Sequence, residues 1–267
     1  MSRRIMLWVG VAVLLATLLA AVAMQLSGYD VVADLDHSRA FHAPDSEHLL
    51  GTDHLGRDVL MRLLLASGQF VFPGTLATLF CAAIAVPLGG IAGYRGGKVA
   101  SVIRYGFTVV QSLPRFVLVL LVCSIYGNDP VIIAIVAGVA YAPGLGEAIY
   151  TRIEALRSAE YVVANRAYGV PEWRILVVHL LWAACRRLIG RHLLGLFGFY
   201  LVLETTLSYL GGFGVAQPNP SWGNMLAFDW GFDNIHLLPM IAPAVAIWLV
   251  YAATTWVRAG LEDPSHV

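Results

Sequence analysis

The stretch EYVVANRAYGVPEWRILVVHLLW, residues 160–182, holds most of the long polar interval between the apolar segments of this chain. It predicts two short helices that meet around Gly169 and Pro171, because glycine commonly follows a helix end and proline suits a first helical turn. In the second helix, apolar residues recur at steps of three and four, which predicts one buried face. That face would consist of Trp173, Leu176, Val177 and Leu180. We interpret the pair of helices as a docking surface.

The composition on either side of this stretch is typical of a protein embedded in a membrane. Of 267 residues, 58% are hydrophobic and only 13% are charged, and the mean hydropathy is +0.72. A helix of about 20 apolar residues crosses a hydrocarbon core of about 30 Å while satisfying its own backbone groups. The sequence therefore predicts an all-α polytopic membrane protein with six transmembrane helices, at residues 5–26, 69–94, 102–126, 131–150, 188–210 and 237–257.

The basic residues predict the orientation. Most arginines and lysines flank the same ends of these spans, and such residues stay on the cytoplasmic side. Both termini and the 160–182 stretch are then cytoplasmic. Arg3 and Arg4 before the first span could also belong to a signal peptide, but the apolar stretch is long and no clear cleavage site follows, so an anchor is favoured. The formal net charge is zero and gives no indication of a nucleic-acid partner.

The sequence gives little support for a metal site or for a disulfide bond. Four histidines lie in the predicted external segment, but steps of five and six residues between them fit neither one helical face nor a usual zinc pattern, so a solvated loop is favoured over a metal site. They are His37, His42, His48 and His54. Cys81 and Cys123 fall in spans and Cys185 is cytoplasmic, so we expect no disulfide, no metal and no cofactor.

Two predicted external stretches combine glycines with polar residues. In the first, glycines permit a tight turn, and Thr52 or Asp53 can cap the helix that follows. Its candidate residues are Gly51, Thr52, Asp53, Gly56, Arg57 and Asp58. We interpret them as structural first and as contacts for a partner second. The second stretch follows the fifth span, and its candidate residues are Pro218, Pro220 and Trp222.

Polar residues inside the spans are candidates for a translocation pathway. A central arginine costs about 2.5 to 3.5 kcal/mol on insertion scales, so such groups usually face protein or a water-filled path. The candidates are Gln111, Ser112, Arg115, Glu204 and Ser208. An interhelical hydrogen bond, or an ion pair between Arg115 and Glu204, is an equal alternative for Arg115. Prolines and glycines in the second span indicate either close helix packing or a hinge.

These features suggest a division of the chain. It comprises an anchor at 1–26, an external segment at 27–68, a five-helix core at 69–257, and a cytoplasmic tail at 258–267. The core includes a cytoplasmic coupling element at 151–187 and an external loop at 211–236. No phosphate-binding loop, nucleophile elbow or zinc-protease motif occurs in the sequence. An intramembrane enzyme built on Glu204 or the external histidines, and a gated channel, are weaker alternatives.

Three stretches resemble the permease subunits of ABC importers of the dipeptide, oligopeptide and nickel group, specifically the second of their two permeases. They are HLLGTDHLGRDVLMRLL at 48–64, YVVANRAYGVPEWRILVVHLL at 161–181 and ETTLSYLGGFGVAQPNPSWGNML at 204–226. The resemblance implies a type I ABC importer permease fold in the bacterial inner membrane. The implied partners are a homologous permease in a heterodimer, two cytoplasmic ATPase subunits, an external binding protein and membrane lipid. ATP hydrolysis would then occur in other chains.

The cytoplasmic signature of that family reads Glu-Ala-Ala, three residues, Gly, nine residues, Ile, one residue, Leu-Pro, and forms the helices that contact the ATPase. Aligned on Gly169, this chain keeps Ala164 and Leu181 but has no acidic residue in the triplet and no proline after Leu181. The resemblance implies ATPase coupling through Glu160, Tyr161, Ala164, Asn165, Arg166, Gly169, Val170, Trp173, Arg174 and Leu181. It implies alternating access but names no cargo, and peptides, nickel, metal chelates and other small solutes fit. A permease of an exporter is the alternative.

Overall fold

A computed structural model describes residues 3–30, 35–227 and 238–261. These residues form helices and contain no β-strand beyond an isolated bridge between Thr52 and Asp58. A short 3₁₀ turn lies at His37–Arg39. The helices are α1 (Arg3–Ser27), α2 (Val59–Ala66), α3 (Gly68–Arg95), α4 (Gly97–Gln111), α5 (Arg115–Tyr126), α6 (Pro130–Leu156), α7 (Glu160–Ala167), α8 (Glu172–Arg174), a π-helical stretch (Ile175–Cys185), α9 (Arg186–Tyr209), α10 (Trp222–Leu226) and α11 (Leu238–Gly260).

The predicted all-α membrane architecture is confirmed. Five helices in the described ranges are long and apolar enough to cross a membrane, and a sixth span results if the bent pair α4 and α5 is counted as one. Residues 228–236 of the predicted external loop, the start of the sixth span at Leu237 and residues 262–267 of the tail lie outside the described residues.

The third predicted span is not one continuous helix. α4 ends at Gln111 and α5 begins at Arg115, and their axes are bent by 72°. Pro114 lacks a backbone N–H and disfavours the helical conformation of the residue before it, which explains the break. Arg115 therefore lies at the start of a helix and not in the middle of one.

The second half of the 160–182 stretch is also not a short helix. From Glu172 the chain continues without a break to Tyr209. The predicted apolar face is correct in part, since Leu180 is buried and Leu176 packs against the core, but Trp173 and Val177 are exposed. The residues that are buried here lie five positions apart, which suits a π-helix with its i→i+5 hydrogen bonds, and they are Ile175, Leu180 and Cys185.

The core is formed by α3 and α6, which pack along most of their lengths. A Cβ built at Gly89 would lie 2.5 Å from the carbonyl oxygen of Gly146, so the two backbones approach closely. Small residues permit such contacts between membrane helices. Pro73 and Pro87 lie inside α3, which remains one helix. The packing interpretation of these small residues therefore agrees with the structure.

Candidate functional site

The predicted external stretches meet at one end of α3. Arg57 donates from Nε to Asp53 Oδ2 at 2.8 Å and from Nη1 to Gln217 Oε1 at 3.2 Å. Arg62 also donates to Asp53 Oδ2. The side chains of Asp53, Arg57, Arg62 and Gln217 are called the Asp53 cluster below. Asp53 is 2% exposed and both arginines are 1% exposed, so their ionic contact is buried, and the hydrogen bond from Arg57 to Gln217 joins it to a stretch far away in the sequence.

Two neighbouring arginines keep the carboxyl group of Asp53 ionised. Burial alone raises the pKa of Asp53, but the charges of Arg62 and Arg57, with backbone hydrogen bonds from Leu55 and Arg57, outweigh it and hold the pKa below its ordinary value. Asp53 is therefore ionised at neutral pH. Arg62 was not singled out from the sequence, although it is the one charged residue in the apolar helix α2.

The neighbouring residues shape the turn that presents Asp53. Asp58 caps α2 by accepting a hydrogen bond from the backbone N–H of Met61, at 2.9 Å, and its other oxygen lies 2.9 Å from His48 Nδ1. Gly56 has φ +79°, and a side chain there would overlap the carbonyl of Asp36. Thr52 accepts a hydrogen bond from the backbone N–H of His42. In the described part of the chain, no three His, Cys, Asp or Glu side chains converge as a metal site.

The loop after α9 is fastened to the same end. Trp222 donates from Nε1 to the carbonyl of Leu63 at 2.9 Å and stacks against Phe70 with ring centroids 4.7 Å apart. Ser221 and Asn224 form a capping box at the start of α10. Pro220 is buried and Pro218 is exposed. Of the three predicted loop residues, Trp222 thus anchors the loop, Pro220 is buried and Pro218 is exposed.

Two of the predicted pathway residues help to hold this loop. Ser208 donates from Oγ to Glu204 Oε1 at 2.7 Å and accepts a hydrogen bond from the backbone N–H of Val215 at 2.8 Å. Both side chains are buried. Glu204 lines a water-sized cavity together with Gln69 and Tyr200. The visible role of Glu204 and Ser208 is to connect α9 to the loop.

The other predicted pathway residues lie elsewhere. Gln111 and Ser112 are exposed at the break between α4 and α5. The guanidinium of Arg115 lies over the ring of Tyr141, with Cζ 4.3 Å from its centroid. Arg115 and Glu204 line different cavities, and no ion pair joins them in the described structure. The proposed Arg115–Glu204 pair was therefore wrong, and the contact of Arg115 is an aromatic ring.

Arg115 and Tyr141 line a cavity of about 410 Å³ between α3, α5, α6, α9 and α11. His192, Phe199 and Arg258 complete much of its wall. Sequence reasoning used Arg258 only to assign orientation and gave His192 no role. The spacing of Arg115, His192 and Arg258 in the sequence does not indicate that they meet, since these three residues come from three segments far apart in the chain.

At the opposite end of α3, the helix α7 ends in a Schellman motif. The backbone N–H of Val170 donates to the carbonyl of Asn165 and that of Gly169 to the carbonyl of Arg166, each at 3.0 Å. Gly169 has φ +76°, which glycine adopts without the Cβ penalty of other residues. The predicted break at Gly169 is present, and residues 165–171 are called the Gly169 turn below.

The flanks of the Gly169 turn differ in exposure. Val162 on α7 is fully buried in a cluster with Ile175, Leu180 and Leu196. By contrast, Tyr168 is 88% exposed and Trp173 is 65% exposed. The other predicted coupling residues that present much surface are Glu160, Tyr161, Ala164, Arg166 and Arg174. Buried apolar residues thus anchor an element whose aromatic tip faces outward.

Polar contacts tie the turn to the bundle. Arg166 Nε lies 3.5 Å from Glu172 Oε1, and the hydroxyl of Tyr94 on α3 donates to Glu172 Oε2. The guanidinium of Arg166 also lies over the ring of Tyr94. Leu181 packs near Gly90 of α3, where a Cβ would lie 3.3 Å from Leu181 Cδ1. Asn165 donates from Nδ2 to the carbonyl of Tyr161. Arg166 and Glu172 thus pair with each other, and Glu172 also contacts α3 through Tyr94.

Comparison with known proteins places the chain among membrane transport proteins. The family model described as the inner membrane component of binding-protein-dependent transport systems matches residues 85–263. The dipeptide transport system permease protein DppC of Bacillus subtilis (strain 168) is 30% identical over 223 residues, covering 82% of this chain and 68% of that protein. The glutathione transport system permease protein GsiD of Pectobacterium atrosepticum is 28% identical, covering 95% and 84%. The nickel transport system permease protein NikC of Escherichia coli (strain K12) is 27% identical, covering 96% and 92%.

Proposed function

Since this chain belongs to the family of inner membrane components of binding-protein-dependent transport systems, we propose that it is one of two homologous permeases of an ATP-driven importer. It forms half of the translocation pathway and contacts an ATPase subunit through the Gly169 turn. The observation that supports this most is the combination of exposed Tyr168 and Trp173 with the fully buried anchor Val162.

The Gly169 turn suits a contact with a partner protein. Large exposed aromatic side chains are enriched at the centres of protein interfaces. Tyr168 and Trp173 stand on either side of a turn whose backbone is fixed by two Schellman hydrogen bonds. An element that is rigid before it binds loses less conformational entropy on binding. The ATPase is the partner because the family resemblance assigns this stretch to it.

The same element can pass a movement into the membrane. Glu172 begins a helix that continues through the π-helical stretch to Tyr209. At its far end, Ser208 binds the loop that carries Val215 and Trp222. Movement of the ATPase subunits would therefore reach both the spans and this loop. ATP and cargo can be coupled in this way only if both bias the same two conformations.

The Asp53 cluster and the loop after α9 lie on the external side in this proposal, and both termini are cytoplasmic. Asp53, Arg57 and Arg62 are buried and serve the fold of this surface. The exposed Pro218 is free to contact the binding protein directly. The membrane and the partner permease contact the apolar outer faces of the spans.

Relatives named for dipeptide, glutathione and nickel transport support a cargo among small solutes of these kinds. Peptides and metal chelates are therefore the cargo classes that we propose. An exporter is the second candidate, and stimulation of ATPase activity by a cargo-loaded binding protein would separate the two.

The test is Gly169→Trp in the complete complex of two permeases, two ATPase subunits and the binding protein. We expect the spans to insert normally and ATP hydrolysis to be uncoupled from uptake, because a non-glycine residue at φ +76° strains the turn and the indole covers the docking face. Gly127→Trp is the matched control, since Gly127 also has positive φ and open space but follows α5 at the other end. Normal coupled uptake by the Gly169 variant would overturn the proposed docking role.

A further inference from the structure

The cavity of about 410 Å³ has a strongly basic wall. Arg115, His192 and Arg258 all line it. Resting on the proposed transport function, we infer that this cavity binds an anionic oxygen group of the cargo, a carboxylate in the first place. The transporter would then carry carboxylate-bearing solutes and not free metal cations.

No acidic side chain offsets these bases in the described lining of the cavity. The buried Glu204 lies in another cavity, bonded to Ser208. Glu147 on the neighbouring helix is paired with Arg104, at 3.1 Å. Basic groups brought together inside a membrane protein are expected to face a pathway or a counter-charge. Since no described carboxylate supplies that counter-charge, a ligand is the natural source.

The two arginines are held while keeping N–H donors for a ligand, and His192 is held by the backbone. Tyr141 supports Arg115 through its ring face, so the N–H edges of the guanidinium are not consumed by a carboxylate. Arg258 lies against Gly195, where a Cβ would be 3.1 Å from its Cζ. His192 Nδ1 lies 3.0 Å from the carbonyl of Leu188. A carbonyl only accepts, so Nδ1 donates this hydrogen bond, which fixes the orientation of the ring.

The size and walls of the cavity suit a small organic anion. Pockets for small ligands commonly measure about 300 to 1,000 Å³ and combine apolar walls with a few placed polar groups. Here Tyr141 and Phe199 supply aromatic walls and the arginines supply forked donors that match a carboxylate. A bare Ni²⁺ ion would be repelled by the same arginines and would find no carboxylate ligand among the described residues that line the cavity.

The sign of the potential in the cavity can be measured with a cysteine placed on its wall. A Cβ at Gly144 meets only Arg115 Nη2, at 3.9 Å, so Gly144→Cys fits without displacement. It would be introduced after replacing Cys81, Cys123 and Cys185 by alanine, in the complete complex in phosphatidylcholine nanodiscs. We expect negatively charged ethylsulfonate methanethiosulfonate to react faster than its ethylammonium counterpart by about tenfold, relative to the ratio for free cysteine.

Substitutions then assign this preference to the arginines. Arg115→Gln and Arg258→Gln should each lower the preference for the anionic reagent, while Arg115→Lys should keep most of it because the charge remains. Gly106→Cys is the matched control, because Gly106 is a helical glycine with open space that does not line the cavity. Equal rates for the two reagents at the introduced thiol would overturn the inference.

A last experiment, protection of the introduced thiol from modification, distinguishes cargo from lipid as the source of the anion. Alanyl-alanine should slow modification of the introduced thiol, and its C-terminal amide should not. Protection by phosphatidylglycerol in the nanodisc, with none by alanyl-alanine, would assign the cavity to lipid headgroups and overturn the cargo site. Coupled uptake is measured on the same Gly144→Cys complex. Intact coupling with no anion preference would refute this inference alone, whereas absence of ATP-driven uptake by the unsubstituted complex would refute the proposed function.

Discussion

The two ends of α3 are built in opposite ways. At one end, the Asp53 cluster buries three charged side chains and joins stretches separated by most of the chain. At the other end, the Gly169 turn exposes its aromatic residues, and its ion pair between Arg166 and Glu172 is largely in solvent. The first end pairs its buried charges with one another. The second leaves much of its surface exposed.

This difference predicts where substitutions affect folding and where they affect coupling. Buried charges that lose a partner destabilise a protein strongly, whereas exposed ion pairs contribute little. Substitutions in the Asp53 cluster should therefore lower the amount and stability of the protein. Substitutions around the Gly169 turn should leave the protein folded and act on ATPase coupling.

The largest effect is expected from Asp53→Asn. It leaves Arg57 and Arg62 buried without a carboxylate, which costs about 3 to 5 kcal/mol in comparable buried pairs. The thermal unfolding of the purified permease and its cleavage by a protease in the segment before α2 measure the effect. Glu47→Gln is the control, because Glu47 makes only an exposed pair with Arg39. A loss below about 1 kcal/mol would show that the cluster does not hold this end together.

Acid should weaken the same contact within a defined pH range. The pKa of Asp53 is lowered from its ordinary value of 3.8, so the folded state favours the ionised form. Its contribution is complete above the ordinary value and is lost as the pH falls through the lowered pKa. Protease resistance of this segment should hold from neutral pH to about pH 4 and decline below it. An equal decline in Asp53→Asn would contradict the assignment to Asp53.

At the Gly169 turn, Gly169→Ala should cost about 1 to 2 kcal/mol, because alanine is strained at positive φ. Asparagine tolerates this conformation better, so Gly169→Asn should lose less. Faster hydrogen exchange of the α7 amides reports the loss. Gly106→Ala supplies a control of opposite sign, since alanine favours the helical conformation of α4 and meets open space there. Unchanged exchange in Gly169→Ala would mean that the turn does not depend on its Schellman motif.

The smallest effect is expected for Arg166→Gln and Glu172→Gln. Their exposed pair should contribute less than about 1 kcal/mol to stability, as measured by a double-mutant cycle in thermal unfolding. A larger drop for Glu172→Gln than for Arg166→Gln is expected, since Glu172 also accepts a hydrogen bond from Tyr94. A coupling energy above about 2 kcal/mol would mean that this end is as tightly specified as the Asp53 cluster.

Much of the fold could be predicted from the sequence because lipid imposes strong rules on composition. Long apolar blocks must be helices, and the glycine at 169 indicated a helix end that the structure contains. The errors arose where one rule was extended too far. The apolar block at 102–126 concealed the break before Pro114. A period of 3.6 residues selected Trp173 and Val177, which are exposed, and missed Ile175, which the π-helical stretch buries together with Leu180.

The candidate sites were less accessible to sequence reasoning, because they depend on contacts between distant segments. Arg57 meets Gln217, and Arg115 shares a cavity with His192 and Arg258. A single sequence identifies such residues as unusual, as it did for Arg115, but gives no distance between them. The surroundings of Arg115 therefore depended on how five helices pack, and the expected partner Glu204 proved to face the loop after α9.

The unbroken helix from Glu172 to Tyr209 has a mechanical consequence. At the usual rise per residue its 38 residues extend for about 57 Å, which exceeds the hydrocarbon thickness of about 30 Å. A rod of this length that pivots where α3 and α6 grip it acts as a lever, so a few degrees of tilt displace both tips by ångströms in opposite directions. One tip lies next to the Gly169 turn and the other lies at the loop bound by Ser208. Displacement is largest at the two tips and smallest near the pivot.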